Sequence, residues 1–514
     1  MHLRPTRQSY DRSPENHLMD AQAPSLSLGD KRAGEAVRAS RLRALADYKL
    51  DPLACAYCAK CHDGCPTYEN TGDEAFSARG KILLWSALRG DFGEVPPSAL
   101  AAESRRTEFA RSRKLLKALD YCLRCYRCLE VCPAQMATVP IFETLRFALA
   151  REQPPPPLHR FLMRTVLPNR SLSRALASVS ALPFSLMPFL ARRVRMSEKA
   201  QAWLYSLPPR DGRLNSLAPA FPTIYIGKQE LALAASPIQR TQILQATARA
   251  QPLAPPMETV ASGAEGGAEL QPIGYFLDCL SDAFMPGIFY ATTRLLNRLG
   301  YRAVIHPANT CCGASALNTG DERAFAAMAK NFARQFVDFR DERGRPVDTL
   351  LFTNPTCYKT VAERYAEMLS SDELARLPQP ALDVVFFEDA LAQVPDDALL
   401  ASDELCPLKL AWHNPCNLGY ALGVKGKRVL AMLRRLGLDI TEYCEVEGCC
   451  GYGGMFYLRY PQDAAELSAK KLRRWRDEGI DLALTCSAGC IGHLNATAIR
   501  ERIGIPTLHW LEAL

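Results

Sequence analysis

Two cysteine strings, CAYCAKCHDGCP at Cys55–Pro66 and CLRCYRCLEVCP at Cys122–Pro133, carry the plainest chemistry in this sequence. Each has the spacing C-x2-C-x2-C-x3-C-P, with which thiolates hold a cubane iron–sulfur cluster. Three closely spaced thiolates take irons of one cube, and the fourth, turned away ahead of the proline, reaches the other. The spacing therefore assigns Cys55, Cys58, Cys61 and Cys132 to one cluster, and Cys122, Cys125, Cys128 and Cys65 to a second. Zinc favours paired C-x2-C units, and neither zinc nor a disulfide needs three cysteines at three-residue steps ending in C-P. A chain with this pattern carries electrons.

The elements that position these thiols must be read from the rest of the chain. Its 514 residues are 48% hydrophobic and 23% charged, the balance of a globular protein with about three domains. The 19 cysteines are too sparse and too clustered for a disulfide scaffold, which implies a reducing compartment. The start has no apolar signal core, and Asp11, Glu15 and Asp20 argue against an organelle transit peptide. Residues 1–45 therefore read as a mobile tail and the expected location is the cytoplasm. A net charge of +7 is modest at this length, and no aromatic-basic motif accompanies it, so no nucleic acid partner is expected.

Residues 46–150 read as a helical domain for two clusters, in which segments such as GKILLWSALRG place Ile82, Trp85 and Leu88 at helical spacing. The proline run at 153–157 opens a connector over 151–270. Within it the uncharged stretch 175–191, closed by Arg192, Arg193 and Arg195, invites contact with a membrane surface, although Pro183 and Pro188 forbid a spanning helix. Packing against other domains or a partner chain is the competing explanation for it. A peripheral position on the inner face of the membrane follows only from the membrane reading. A Pro, Gly and Ala-rich linker then leads to the C-terminal half.

After residue 270 the chain repeats itself, in units 271–390 and 391–514. Each unit reads strand, cysteine, helix, strand, CCG, helix, strand, cysteine. The first carries Cys279, Cys311, Cys312 and Cys357; the second carries Cys416, Cys449, Cys450 and Cys490. Apolar stripes at Ile288, Ala291, Leu295 and Leu299, and at Val429, Met432, Leu433 and Leu436, give the helices a buried face. Alternating strands and helices imply a parallel α/β layer, with the thiols gathered outside the carboxyl ends of the strands. The fold class expected is multidomain α and α/β: a helical two-cluster domain followed by two tandem α/β domains. Gly313 and Gly451 allow the sharp turn after each Cys-Cys pair, and Gly453 and Gly454 shape the turn after the second. Single cysteines often serve as small apolar filler, but two sets in register favour metal–sulfur ligation. Cys406 and Cys444 fall outside the repeat and read as plain thiols.

This order of parts, from about Asp51 to Leu514, resembles the iron–sulfur subunit of glycolate oxidase. It is also similar to the C subunit of anaerobic glycerol-3-phosphate dehydrogenase, the lactate-utilisation iron–sulfur protein and the D subunit of heterodisulfide reductase. The segments HNPCNLGYA, GCCGYGG and AGCIGHL bring it nearest to the glycolate oxidase subunit. The resemblance implies electron transfer from a separate FAD-containing 2-hydroxy acid dehydrogenase towards a quinone or another membrane acceptor. It implies two [4Fe-4S] clusters in the strings and one or more further iron–sulfur clusters in the CCG units. Heterodisulfide reductases end each CCG domain in C-x2-C; here Asn354 and Ser487 stand where the first cysteine would be, with Cys486 one residue upstream as an extra candidate ligand.

No G-x-G-x-x-G segment follows a strand, so no flavin is expected on this chain and no organic substrate site or catalytic residue is assigned to it. His62 could tune a cluster, though most histidines so placed merely face solvent, and His413 and His493, each three residues from a cysteine, could donate a proton or a hydrogen bond to sulfur. Arg124 and Arg127 could form a docking surface. A rival expectation makes the CCG units catalytic, reducing a disulfide at an open iron; a third, weaker one is iron storage.

Overall fold

The computed structural model describes residues 55–89, 113–134, 136, 138–152, 154–173, 270–392, 408–442 and 449–514. The expected tail, the 175–195 segment, the linker, Cys406 and Cys444 lie outside the described residues. No helix among the described residues is long and apolar enough to cross a membrane.

The C-terminal half contains two parallel sheets of the same design. In the first, β1 (Gln271–Phe276), β2 (Tyr301–Val304), β3 (Thr349–Phe352) and β4 (Gln379–Leu382) lie in the order β2-β1-β3-β4. In the second, β5 (Leu410–Trp412), β6 (Ile440–Glu442), β7 (Leu482–Thr485) and β8 (Thr507–His509) lie in the order β6-β5-β7-β8. The registers correspond: Gly274 faces Val304 and Leu350, as Leu410 faces Ile440 and Leu482. β5 and β7 are buried along their whole length, as strands covered on both faces should be.

That strand order fixes where a ligand can sit. The chain leaves β1 for β2 on one side and returns to β3 on the other, so a crevice opens at the carboxyl ends of β1 and β3. Cys279 follows β1 and Cys357 follows β3; Cys416 and Cys490 follow β5 and β7 in the same way. Ile288, Ala291, Val429, Met432, Leu433 and Leu436 are buried, and Leu295 and Leu299 are packed against the core, on helices Pro286–Arg298 and Gly426–Arg435 and their ends. The two sheets share one apolar core, in which Tyr275, Leu351, Trp412, Leu484 and Trp510 are fully buried.

The N-terminal strings lie among short helices, Pro66–Thr71, Ala78–Arg89, Arg113–Asp120, Arg127–Glu130 and Thr138–Glu152. Ile82, Leu119, Ile141 and Phe142 form their own small core, against which Cys55, Cys61, Cys122, Cys128 and Cys132 pack. Charged groups tie this domain to the C-terminal half. Arg364 and Glu143 pair with only 4% of each side chain exposed. Lys359 Nζ donates to Tyr126 Oη at 2.6 Å and lies over its ring, and Asn70 Nδ2 donates to Asp463 at 3.0 Å.

Candidate metal centres

The two strings adopt the same unusual backbone. Tyr57 and Ala59 have φ of 50° and 64°, and Arg124 and Tyr126, at the equivalent positions, have 51° and 64°. A non-glycine residue in the left-handed region costs about 1–2 kcal/mol, so four of them at matched sites mark loops held for a purpose. Each loop flanks its second cysteine with two such residues, winding the chain around a cavity.

Cys55, Cys58 and Cys61 line one cavity together with Cys132 from the other string; its free space is about 420 Å³, open mouth included. Cys122, Cys125 and Cys128 line a second, of about 390 Å³, together with Cys65. The fourth cysteine of each string thus crosses to the cavity of the other, while Cys128 borders both. The cavities differ in depth. Cys58 of the first is exposed, and at the wall the two share, burial pushes the Cys128 thiol up to about 12 despite a hydrogen-bond contact with Thr138 Oγ1 at 2.9 Å. Burial, with Cys416, Cys128 and Cys65 as neighbours, raises the Cys125 thiol well above its ordinary value.

Arg124 does not face a partner. It is buried beside the second cavity, donates to the Asn318 carbonyl at 2.6 Å, and is lowered to about 9 by burial and by Arg146. This corrects the docking expectation for Arg124: the left-handed turn folds the guanidinium inward, against a carbonyl 194 residues away. Arg127 packs over Gly64, where an added Cβ would lie 2.1 Å from its guanidinium carbon.

The CCG sets are arranged differently. In the first, Cys279 and Cys311 are hydrogen-bonded, as are Cys311 and Cys312, and Cys312 Sγ donates to Cys357 Sγ at 3.3 Å. In the second, Cys416 contacts Cys449, Cys449 contacts Cys450, and Cys450 Sγ donates to Cys490 Sγ at 3.1 Å. Gly313 and Gly451, with φ of 82° and 86°, make the turn that lets adjacent cysteines serve one group; a Cβ on Gly451 would lie 2.2 Å from the Ala464 carbonyl oxygen. Hydrogen bonds from Cys279 and Cys312 pull Cys311 well down, while those two thiols are pushed well up by the same contacts and by burial. Thiols this close and this buried become thiolates together only around a cation, so the donor set fits a metal group.

The helix starts explain two of the replaced positions. Asn354 caps the Cys357 helix, its side chain accepting from Thr356 N at 3.1 Å, as Asp278 caps the Cys279 helix by accepting from Leu280 N and Ser281 N. Ser487 precedes helix Ala488–Arg500, and its carbonyl accepts from Ile491 N. Cys486 packs in the core shared by the sheets with Asp383 as its charged neighbour, whereas Cys449, Cys450 and Cys490 pack in another core.

The histidines separate as well. His493 Nε2 lies 3.0 Å from the Ala464 carbonyl, and burial lowers it to about 4. His62 packs tilted against Tyr68 with ring centres 4.2 Å apart and lies 3.9 Å from Glu74. His413 is 1% exposed and lies with Cys450 and Cys490 in a set whose donor atoms are all within 4.8 Å of one another. Burial, aided by Lys471, holds its imidazole neutral, well below the ordinary histidine value.

The sulfur groups follow one another. Cys125 of the second string is an electrostatic neighbour of Cys416 and of Cys449. Tyr452 is a neighbour of Cys450 and Cys490 on one side and of Cys279 on the other. Its ring fills the space over Gly489, where a Cβ would meet it at 2.4 Å, and stacks on Tyr457. Asn417 Nδ2 donates to Thr356 Oγ1 at 2.8 Å, joining the segment after Cys416 to the helix of Cys357.

Comparison with known proteins defines the class. Residues 52–136 match the model of a 4Fe-4S dicluster domain, and residues 273–362 and 410–495 each match that of a cysteine-rich domain. The chain is therefore an iron–sulfur protein of the electron-transfer kind, with two cysteine-rich repeats behind its dicluster domain. It is 26% identical over 470 residues to the glycolate oxidase iron-sulfur subunit of Escherichia coli (strain K12), covering 89% of this chain and 92% of the relative. Lactate utilization protein A 1 of Bacillus anthracis and lactate utilization protein A 2 of Bacillus cereus are each 24% identical over 244 residues, covering 47% of this chain and 97% of the relatives. A dicluster domain followed by two cysteine-rich domains is thus the order of parts along the chain, and its similarity to the glycolate oxidase iron-sulfur subunit extends over most of its length.

Proposed function

We propose that this chain is the electron-transfer subunit of a flavin-dependent 2-hydroxy acid dehydrogenase, serving a glycolate- or lactate-like substrate oxidised on a partner chain. A quinone or another acceptor takes the electrons. The observation that carries the proposal is the continuity of the sulfur groups: two string cavities sharing Cys128, then Cys125 beside Cys416 and Cys449, then Tyr452 between the two CCG sets.

In this reading Cys55, Cys58, Cys61 and Cys132 hold one [4Fe-4S] cluster, and Cys65, Cys122, Cys125 and Cys128 hold the other. Cys279, Cys311, Cys312 and Cys357 hold a further iron–sulfur group, as do Cys416, Cys449, Cys450 and Cys490. Such groups supply one-electron transfer at potentials set by charge, hydrogen bonding and exposure. The protein's part is to position the thiolates, exclude water around the inner sets and place cations near the inner string cavity. Arg124 and Arg146 both donate to the Asn318 carbonyl there.

Expression beside a flavin-containing 2-hydroxy acid dehydrogenase tests the proposal. A complex that accelerates reduction of a quinone analogue by the hydroxy acid is expected; a chain that stays apart and leaves the rate unchanged contradicts it.

A further inference from the structure

His413 is a polar side chain at these sites that the reading above leaves without work. It stands on the first residue past β5, at the crevice between β5 and β7, and is 1% exposed. Its Nε2 is buried without a hydrogen-bond partner. A buried nitrogen left in that state is destabilising, which a structure bears when another ligand takes up the nitrogen.

We propose that His413 supplies a nitrogen ligand to the metal group of the second cysteine-rich repeat, which then holds iron through imidazole and thiolate together. The first repeat holds its group through thiolates alone. The inference rests on the reading that the second repeat is loaded with iron.

Three observations support it. His413, Cys450 and Cys490 each offer a donor atom within 4.8 Å of the others, the one set of three such donors found this close among the described residues. Sulfur and nitrogen ligands of a single ion at tetrahedral angles sit roughly 3.5–4 Å apart, so His413 stands close enough to these thiols to share their metal group. The second observation is the ring's setting. Trp475 lies edge-on to the buried ring at 6.4 Å between ring centres, and the His413 backbone N–H donates to the Leu484 carbonyl at 2.8 Å, so the residue is fixed at the crevice. The third is the comparison between repeats: the first residue past β1 is Leu277, a buried apolar side chain with no donor. The repeats agree in their four cysteines and differ here, which gives them metal groups of different composition. A neutral imidazole among the ligands stabilises the reduced form relative to an all-thiolate set, as histidine ligation does in two-iron clusters.

The full chain, made anaerobically with 57Fe and with 15N-histidine, tests this by iron analysis, Mössbauer spectroscopy and pulsed EPR. The expected result is more than about eight irons per chain and a 15N coupling from a histidine bound to iron. That coupling is lost in His413→Leu and in His413→Cys, and the iron subset that changes in the Mössbauer spectrum is confined to the second repeat. Retention of about eight irons by the variants shows that the dicluster domain still folds. Iron beyond eight with no histidine coupling in the wild type, and spectra that His413→Leu leaves unchanged, overturns the inference while sparing the proposed function. About eight irons in the wild type overturns the loading of the repeats, and this inference with it.

Discussion

The two kinds of sulfur site solve opposite problems. In the string domain the thiols are spaced around cavities of about 420 and 390 Å³, and the backbone takes the strain, with Tyr57, Ala59, Arg124 and Tyr126 at positive φ. In the CCG repeats the thiols touch, at 3.1 Å and 3.3 Å, and glycines relieve the backbone at Gly313 and Gly451. The difference teaches that a short cysteine string must bend its own loop to enclose a group, whereas a parallel sheet delivers cysteines from three strand ends to one point. The first device is local and legible from spacing. The second needs the fold.

The largest way to break this comparison is to remove a thiol where the two regions meet. Cys125→Ser should lose about four irons and interrupt quinone-analogue reduction in the complex, while Cys312→Ser should leave the dicluster irons in place; anaerobic iron analysis of both variants separates them. Next is the joint between the regions. Arg364→Met leaves Glu143 buried without its partner and should destabilise the protein by about 3–5 kcal/mol, read from its denaturation midpoint.

A smaller effect concerns pH. Burial raises Asp383 to about 7, although Trp510 Nε1 donates to it at 2.6 Å, so between about pH 4 and 7 the folded chain holds a proton that the unfolded chain releases. Asp383 therefore favours folding at the acid end of that window and loses the effect as pH rises through 7. His493 and His509, lowered to about 4 by burial, act in the opposite sense and lose stability below about pH 6.5. Asp383→Asn should remove the compensation, so that acidification from pH 7.5 to 5.5 costs the variant about 2 kcal/mol more than the wild type. Equal losses of stability on acidification in the variant and the wild type, read from denaturant titrations at the two pH values, would contradict this.

The smallest test addresses the backbone contrast itself. Gly451→Ala meets both a positive φ and the Ala464 carbonyl and should cost about 2 kcal/mol, whereas Ala59→Gly should stay within about 1 kcal/mol of the wild type. Thermal unfolding of the two variants reads the difference.

Much of this was legible in the sequence because it is local or periodic. The repeat, the strand preceding each cysteine and the apolar stripes at Ile288 and Val429 follow from patterns that burial enforces within one element. The edge strands β4 and β8 were not legible: QPAL and TLH are three or four residues long, the first contains Pro380, and only pairing with β3 and β7 makes them strands. The inward turn of Arg124 depends on the Asn318 carbonyl, and the packing of Cys486 depends on a core shared between two sheets. Asn354 shows the same limit from the other side. In sequence it is a missing cysteine, and in the structure it is a helix cap that points Cys357 into its group.

The central claim is that both regions carry iron and form one path. Iron and sulfide counted per chain in anaerobically prepared protein test it most directly. Substantially more than about eight irons, falling to about eight when Cys312 and Cys450 are both changed to Ser, is the predicted result. A wild type that holds about eight irons, all retained in that double variant, would contradict it.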